Sequence, residues 1–145
     1  IEEIEISKLK FLTRYIKGYK YRQIDELFSL YKQNNIDLFE PILLLFNSTN
    51  FSYVTPPIIE VHNSDFIVIE GNARFFYAYK NGIRKLKSIV VRKVSEDLPS
   101  TGRYSINQLL ISDKALRGED RYDQFQRELF RKIEETIHDP LTSLL

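Results

Sequence analysis

Gly71, Asn72 and Arg74 stand between an apolar run, Phe66 to Ile69, and an aromatic segment, Phe75 to Tyr79. A glycine there lets the backbone bend sharply and lets a ligand approach it closely. Asn72 can cap a helix that starts at this point, leaving backbone N–H groups pointing outward, and such helix starts attract phosphate. Arg74, in the first turn, adds a planar fork of donors matched to phosphate oxygens, which a lysine matches less well. A guanidinium in that role contributes little to packing. Glu70 can meet a nucleotide hydroxyl or, through water, Mg²⁺; as a plain helix-start carboxylate it satisfies the helix dipole. Each residue has an ordinary reading as well. Gly71 and Asn72 make a tight capped turn without a ligand, and Arg74 makes a surface salt bridge. Taken together with the elements around them, they favour a phosphate or nucleotide site.

Those elements read as strand, turn, helix, turn, strand. The run Phe66 to Ile69 ends at Glu70-Gly71, a helix starts at Asn72 and stops at Asn81-Gly82, and a second apolar run spans Ser88 to Val91. A connection of this length suits a parallel crossover, with the first turn at the carboxyl end of the strand, where open α/β sheets bind ligands. Phe75, Phe76, Tyr77 and Tyr79 make the helix aromatic. Most of them belong to the core, with at most one beside the pocket.

A second group of residues can contact phosphate. The segment TRYIKGYKYR carries Arg14, Lys17, Lys20 and Arg22 among Tyr15, Tyr19 and Tyr21, and is the most basic stretch of the chain. Charge runs are usually solvated loops or frayed helices. Basic residues interleaved with aromatics can also pair with phosphates and stack on bases.

Whole-chain properties bound the alternatives. At 145 residues, 43% hydrophobic and 28% charged, the chain supports one ordinary core. Lysines and arginines number 21 against 20 acids, so net charge does not announce a nucleic-acid binder, although a local basic patch is compatible with it. Without cysteine there is no disulfide, thiolate nucleophile or thiolate zinc site, and His62 and His138 are too far apart in sequence to suggest a metal cluster. No dedicated protein metal site is expected; any metal would be a hard cation held by carboxylates and phosphate oxygens. No apolar run is long enough to cross a bilayer and no leader pattern is seen, so a cytoplasmic protein without membrane partners is expected.

Elsewhere the pattern predicts an edge strand through Ile4, Ile6, Leu9 and Phe11, and a helix over Gln23 to Asn35 stopping at Asn34-Asn35. The run PILLLF is ambiguous between strand and buried helix, and Asn47 to Asn50 form a turn cluster. Ile58 to Val61 and Phe66 to Ile69 read as a hairpin across a turn at His62 to Asp65, with Pro56-Pro57 ahead of the pairing. His62 is expected to be an ordinary surface residue at the hairpin edge. Beyond Val94 a polar connection leads to an amphipathic helix over Arg121 to His138, striped by Tyr122, Phe125, Leu129, Ile133 and Ile137 and closed by Pro140.

This order of elements, with GNAR at Gly71 to Arg74 and Asn81-Gly82 at the helix end, resembles the ParB/sulfiredoxin-like superfamily (the ParB N-terminal-like domain) over roughly residues 4 to 94. GxxR is weak alone, and its weight comes from the elements around it. The resemblance implies an α+β fold: a small mixed sheet with packed helices over residues 1–97, with residues 98–145 as a C-terminal helical extension packing on it. It implies a nucleotide triphosphate or diphosphate as ligand, with or without Mg²⁺, its phosphates at Glu70, Gly71, Asn72 and Arg74 and the basic residues from Arg14 to Arg22 closing over it. Hydrolysis or phosphotransfer is a chemistry such sites can add. Sulfiredoxin chemistry is excluded for want of a cysteine. The chain after Val94 is too short for the DNA-binding and dimerisation domains of a partition protein. Ala73 inside the turn, and no acid in TRYIKGYKYR, weaken a serine-kinase reading. The alternatives are a nucleic-acid-binding, ParB-like or nuclease module, and a non-catalytic interaction domain. Oligomeric state is left open.

Overall fold

The computed structural model describes residues 1–37, 40–45 and 51–132. The fold is mixed α and β, built on a five-stranded sheet. The strands are β1 (Glu2–Glu5), β2 (Leu9–Phe11), β6 (Ile58–His62), β7 (Asp65–Glu70) and β8 (Lys85–Val91), in the order β1-β8-β6-β7-β2. Two small sheets flank it. One pairs β3 (Tyr15–Lys17) with β9 (Leu110–Ser112), the other β4 (Ile42–Leu45) with β5 (Phe51–Val54). The ambiguous run after Pro41 is therefore a strand, while Asn47 to Asn50 lie outside the described residues.

The sheet cannot be flat. β1 and β2 occupy opposite edges, yet only the 3₁₀ turn Ile6–Lys8 joins them. Three residues of 3₁₀ helix rise about 6 Å, whereas four inter-strand steps span roughly 19 Å. The edges must curl toward each other, and the concave side fills with Ile4, Ile6, Leu9, Phe11, Ile59, Val68 and Leu86, all buried. The alternation read in the first eleven residues thus serves two edge strands, one at each side of the sheet.

The hairpin of β6 and β7 pairs as the sequence indicates, Val61 opposite Phe66 and Ile59 opposite Val68, with Asn63 and Ser64 at positive φ in the turn. The parallel crossover does not form between β7 and β8. β8 pairs in parallel with β6, and β6 is antiparallel to β7, so β7 and β8 run in opposite directions on either side of β6. A tight hairpin places β6 beside β7 first, and the helix between β7 and β8 carries the chain past it. β2 occupies the other side of β7, in parallel.

Two helices cover the sheet. α1 (Gly18–Gln33) starts five residues earlier than the apolar spacing suggests and ends at Asn34, with Asn35 at φ 53°. Tyr31 of α1 is fully buried, and its hydroxyl donates to the Glu40 carbonyl at 2.6 Å. Burial pushes its phenol up to about 12. α2 (Asn72–Lys80) buries Phe75, Phe76 and Tyr77 and leaves Tyr79 exposed. Phe75 meets Phe11 edge-on at 6.2 Å, and Tyr21 and Phe28 of α1 pack on Tyr77 at 5.3 and 5.2 Å. The end of α2 is fixed by Gly82 at φ 74°, where Gly82 N–H donates to the Tyr79 carbonyl and Ile83 N–H to that of Ala78. A left-handed residue closing both bonds is the Schellman arrangement.

The chain after Val94 differs from the expected helix. Within residues 98–132 only α3 (Gly118–Arg121) and the 3₁₀ turns Ile106–Gln108 and Arg127–Leu129 are helical, and Tyr122 to Gln126 are not. Ile133, Ile137 and Pro140 lie outside the described residues. Three aromatics of that region satisfy one another instead of lining a helix face: Tyr122 stacks on Phe125 at 5.6 Å, and Phe130 packs on both rings. The segment packs on the sheet. Ile106 and Leu109 join the main core, Tyr104 bridges to Phe11, Tyr122 bridges to Thr13, and β9 pairs with β3.

Candidate functional site

β7 ends at Glu70 and α2 begins at Asn72, so Gly71 must turn the chain in a single residue. It does so at φ 107°, a left-handed conformation open to glycine and strained for other residues. A Cβ here would lie 2.8 Å from Cβ of Pro57. The close approach that glycine permits here is to the Pro57 ring. Gly71 itself is the N-cap, and Asn72 is the first helical residue, without a capping side-chain bond. Its Oδ1 is buried and accepts no hydrogen bond. The first hydrogen bond into the helix is Phe75 N–H to the Gly71 carbonyl, so the N–H groups of residues 72 to 74 have no partner within the helix.

These groups form part of the wall of a cavity of about 510 Å³, within the range of small-molecule sites. Ile69 and Glu70 bring in the end of β7. Lys17, Lys20 and Ile24 come from β3 and α1, because β3 delivers the chain to the start of α1 beside α2. The third side is Pro99 with Arg121, Tyr122 and the segment Phe130 to Lys132. Burial raises the Tyr122 phenol above its ordinary value, against the neighbouring Arg121 charge.

Of the residues singled out from sequence, Glu70, Gly71, Asn72, Arg74, Lys17 and Lys20 come together here. Arg14 does not line the cavity. Its guanidinium stands over the Tyr15 ring, 5.2 Å from the centroid. Arg22 faces a neighbouring cavity and pairs with Asp113 at 3.4 Å. Lys17 and Lys20 belong to a strand and a helix, not to a loop closing over the site.

Arg74 is not the lightly packed side chain the motif suggests. It is 8% exposed, and its Nη1 donates to the Thr55 carbonyl, securing the connection between β5 and β6. Burial lowers its pKa, with Glu70 and Tyr31 opposing. It lines the cavity and holds it together.

His62 also departs from expectation. It is half-buried, with Nε2 2.7 Å from Oε1 of Glu60. Arg131 completes the cluster, its Nε and Nη2 donating to the two Glu60 oxygens at 2.9 Å each. Burial pushes the Glu60 carboxyl up, but the hydrogen bonds and charges of Arg131 and His62 outweigh it and leave the pKa below 4.5. Arg131 thereby ties the third wall of the cavity to β6.

Arg121, Tyr122 and Lys132 are absent from the sequence reading of the site. A helical stripe explained the apolar residues among them, and no local motif marks a wall that reaches the turn from fifty residues away. Among the described residues no three of His, Asp and Glu gather as a metal set. Glu70 is the only carboxylate lining this cavity among the described residues, so the donor set suits an anionic ligand, with Mg²⁺ held mainly by that ligand's own oxygens. No helix among the described residues is long and apolar enough to cross a membrane. Comparison with protein-family models, with curated proteins and with solved structures returns no match.

Proposed function

We propose that the cavity at the start of α2 binds the phosphates of a nucleotide or a similar phosphate ligand. One observation carries this reading: the first-turn N–H groups of an α-helix, which the helix's own ladder does not use, and the cationic side chains of Lys17, Lys20, Arg121 and Lys132 converge on a single cavity. Helix starts and cations each stabilise anions. Kinship with the ParB/sulfiredoxin-like superfamily is part of the same proposal, supported by the mixed sheet and by the turn and helix end at Gly71 and Gly82. The reading is of binding. Glu70 is the carboxylate available to a reaction, and product release in the same samples would reveal hydrolysis or phosphotransfer.

The test is thermal shift of the full chain against ribonucleoside mono-, di- and triphosphates, pyrophosphate and inorganic phosphate, with and without Mg²⁺. A ligand at a hundredfold excess over its Kd protects by about 2.7 kcal/mol. Lys17→Ala and Lys20→Ala should reduce that protection while leaving the unliganded melting temperature unchanged. If none of these compounds raises the melting temperature, the proposal fails.

A further inference from the structure

The cavity just described has a neighbour. A second cavity of about 380 Å³ lies on the other side of Lys17 and Arg121, and Tyr15, Ile16, Lys17 and Arg121 line both. The two are lobes of one groove, with a partition made of two cations and a tyrosine. The second lobe adds Arg22 and Lys114, and Tyr19 stands at its wall with its ring half exposed. Charge is sharply segregated. Eight of the chain's 21 lysines and arginines line the two lobes with only two of its 20 acids, Glu70 and Asp113. The rest of the chain is net acidic, so a net charge of +1 conceals a basic groove.

Asp113 occupies the second lobe in a telling way. Its Oδ1 lies so close to Gly18 that a Cβ on that residue would stand 1.9 Å from it, and the same oxygen meets Nη1 of Arg22 at 3.4 Å. Both partners are largely exposed, 67% and 74%, so water competes for the pair and another anion can displace the carboxylate. The chain's own acid stands where a second anion of a ligand would be neutralised.

We infer that the groove takes a short single-stranded oligonucleotide, one phosphate at the start of α2 and the next beyond the Lys17–Arg121 partition, where it displaces Asp113 from Arg22. The inference rests on the phosphate-site reading above and extends it to a second subsite. Tyr19, half exposed at the wall of the second lobe, offers a face on which a base stacks, a contact that tolerates any sequence. A double helix has no such exposed faces, so it should bind less well than a single strand.

Affinity is measured on the full chain by fluorescence anisotropy competition, using thymidine oligonucleotides of one to six residues with 5′-phosphates and a duplex of equal length. Affinity should rise at least tenfold from one to two nucleotides and level off thereafter. Two phosphate contacts imply a loss of about 7-fold in affinity between 50 and 200 mM salt. Arg22→Ala should abolish the length increment and spare the mononucleotide. Asp113→Asn should leave mononucleotide affinity unchanged and strengthen the trinucleotide several-fold. A mononucleotide that binds with no length increment, or an increment untouched at Arg22, overturns the second subsite and leaves the first standing. If neither mononucleotide nor oligonucleotide binds, both readings fall.

Discussion

Removing Arg131 should loosen the wall that the C-terminal segment contributes to the cavity, and the cost can be worked from its contacts. The guanidinium makes two bonds of 2.9 Å to Glu60, and further bonds to the carbonyls of Leu129 and Asp97 at 2.8 and 2.9 Å. The paired side chains are 13% and 8% exposed, so the carboxylate left by Arg131→Ala cannot recover its hydration. Breaking a buried pair from one side costs about 3–5 kcal/mol; with His62 still on Oε1 and Arg131 not wholly buried, the cost falls below that range, to about 2–3 kcal/mol. For a chain of this size that lowers the melting temperature by roughly 6–12 °C. Glu60→Gln and the double variant complete a cycle, in which the double variant should cost less than the sum. The acid limb follows with a definite sign. Glu60 has a folded pKa below its ordinary value, so its stabilisation is complete above the unfolded carboxylate pKa and is lost as pH falls through the lower folded one. The parent should therefore lose this contribution below pH 4.5, and the Arg131→Ala chain should have far less of it to lose. A melting temperature within about 2 °C of the parent, under roughly 1 kcal/mol, would show that the cluster does not anchor this segment.

Arg74→Ala should destabilise the unliganded chain by about 1.5–3 kcal/mol in chemical denaturation, because a buried charged donor to the Thr55 carbonyl is lost. An unchanged midpoint would return Arg74 to a purely ligand-facing role. Gly71→Ala should cost roughly 2–3 kcal/mol from the left-handed φ, with the Pro57 contact pushing toward the upper end; a melt equal to the parent's would mean that the turn rearranges. Lys17→Ala and Lys20→Ala together should leave the melt alone and weaken phosphate binding, as calorimetry against pyrophosphate would read.

Short-range features were legible in sequence where one residue type admits one local geometry. Gly82 closes α2 because its φ is open to glycine and little else, and the β6–β7 hairpin forms because its turn is flanked by two apolar runs. The connection between β7 and β8 was not legible, because a helix of given length can return to either side of a neighbouring strand. The hairpin partner decided it: once β6 lies against β7, the β7 edge left over is taken by β2, and β8 must pair with the far side of β6. The region after Val94 misled for a related reason. Tyr122, Phe125 and Leu129 have helical spacing, but Tyr122 is drawn into a bridge with Thr13, whose hydroxyl donates to the Arg121 carbonyl at 2.8 Å, and an extended bridge interrupts a helix.

The same contrast governs the site. Its central turn is local, four consecutive residues whose types announce a sharp bend and a helix start, and those four do meet in one cavity. Gly71 and Arg74, singled out by the motif for a ligand, also have work inside the protein, one against Pro57 and the other on Thr55. Other cations that line the cavity come from elsewhere: Lys17 and Lys20 from the β3–α1 junction, Arg121 and Lys132 from the segment that Arg131 fastens to β6. A buried arginine makes a stable frame, and half-buried Lys17 with exposed Lys20 and Lys132 makes an adaptable rim. Affinity for phosphate should therefore track the rim, and integrity of the rim should track Glu60 and Arg131, two residues without which no motif around Gly71 can hold the third wall in place.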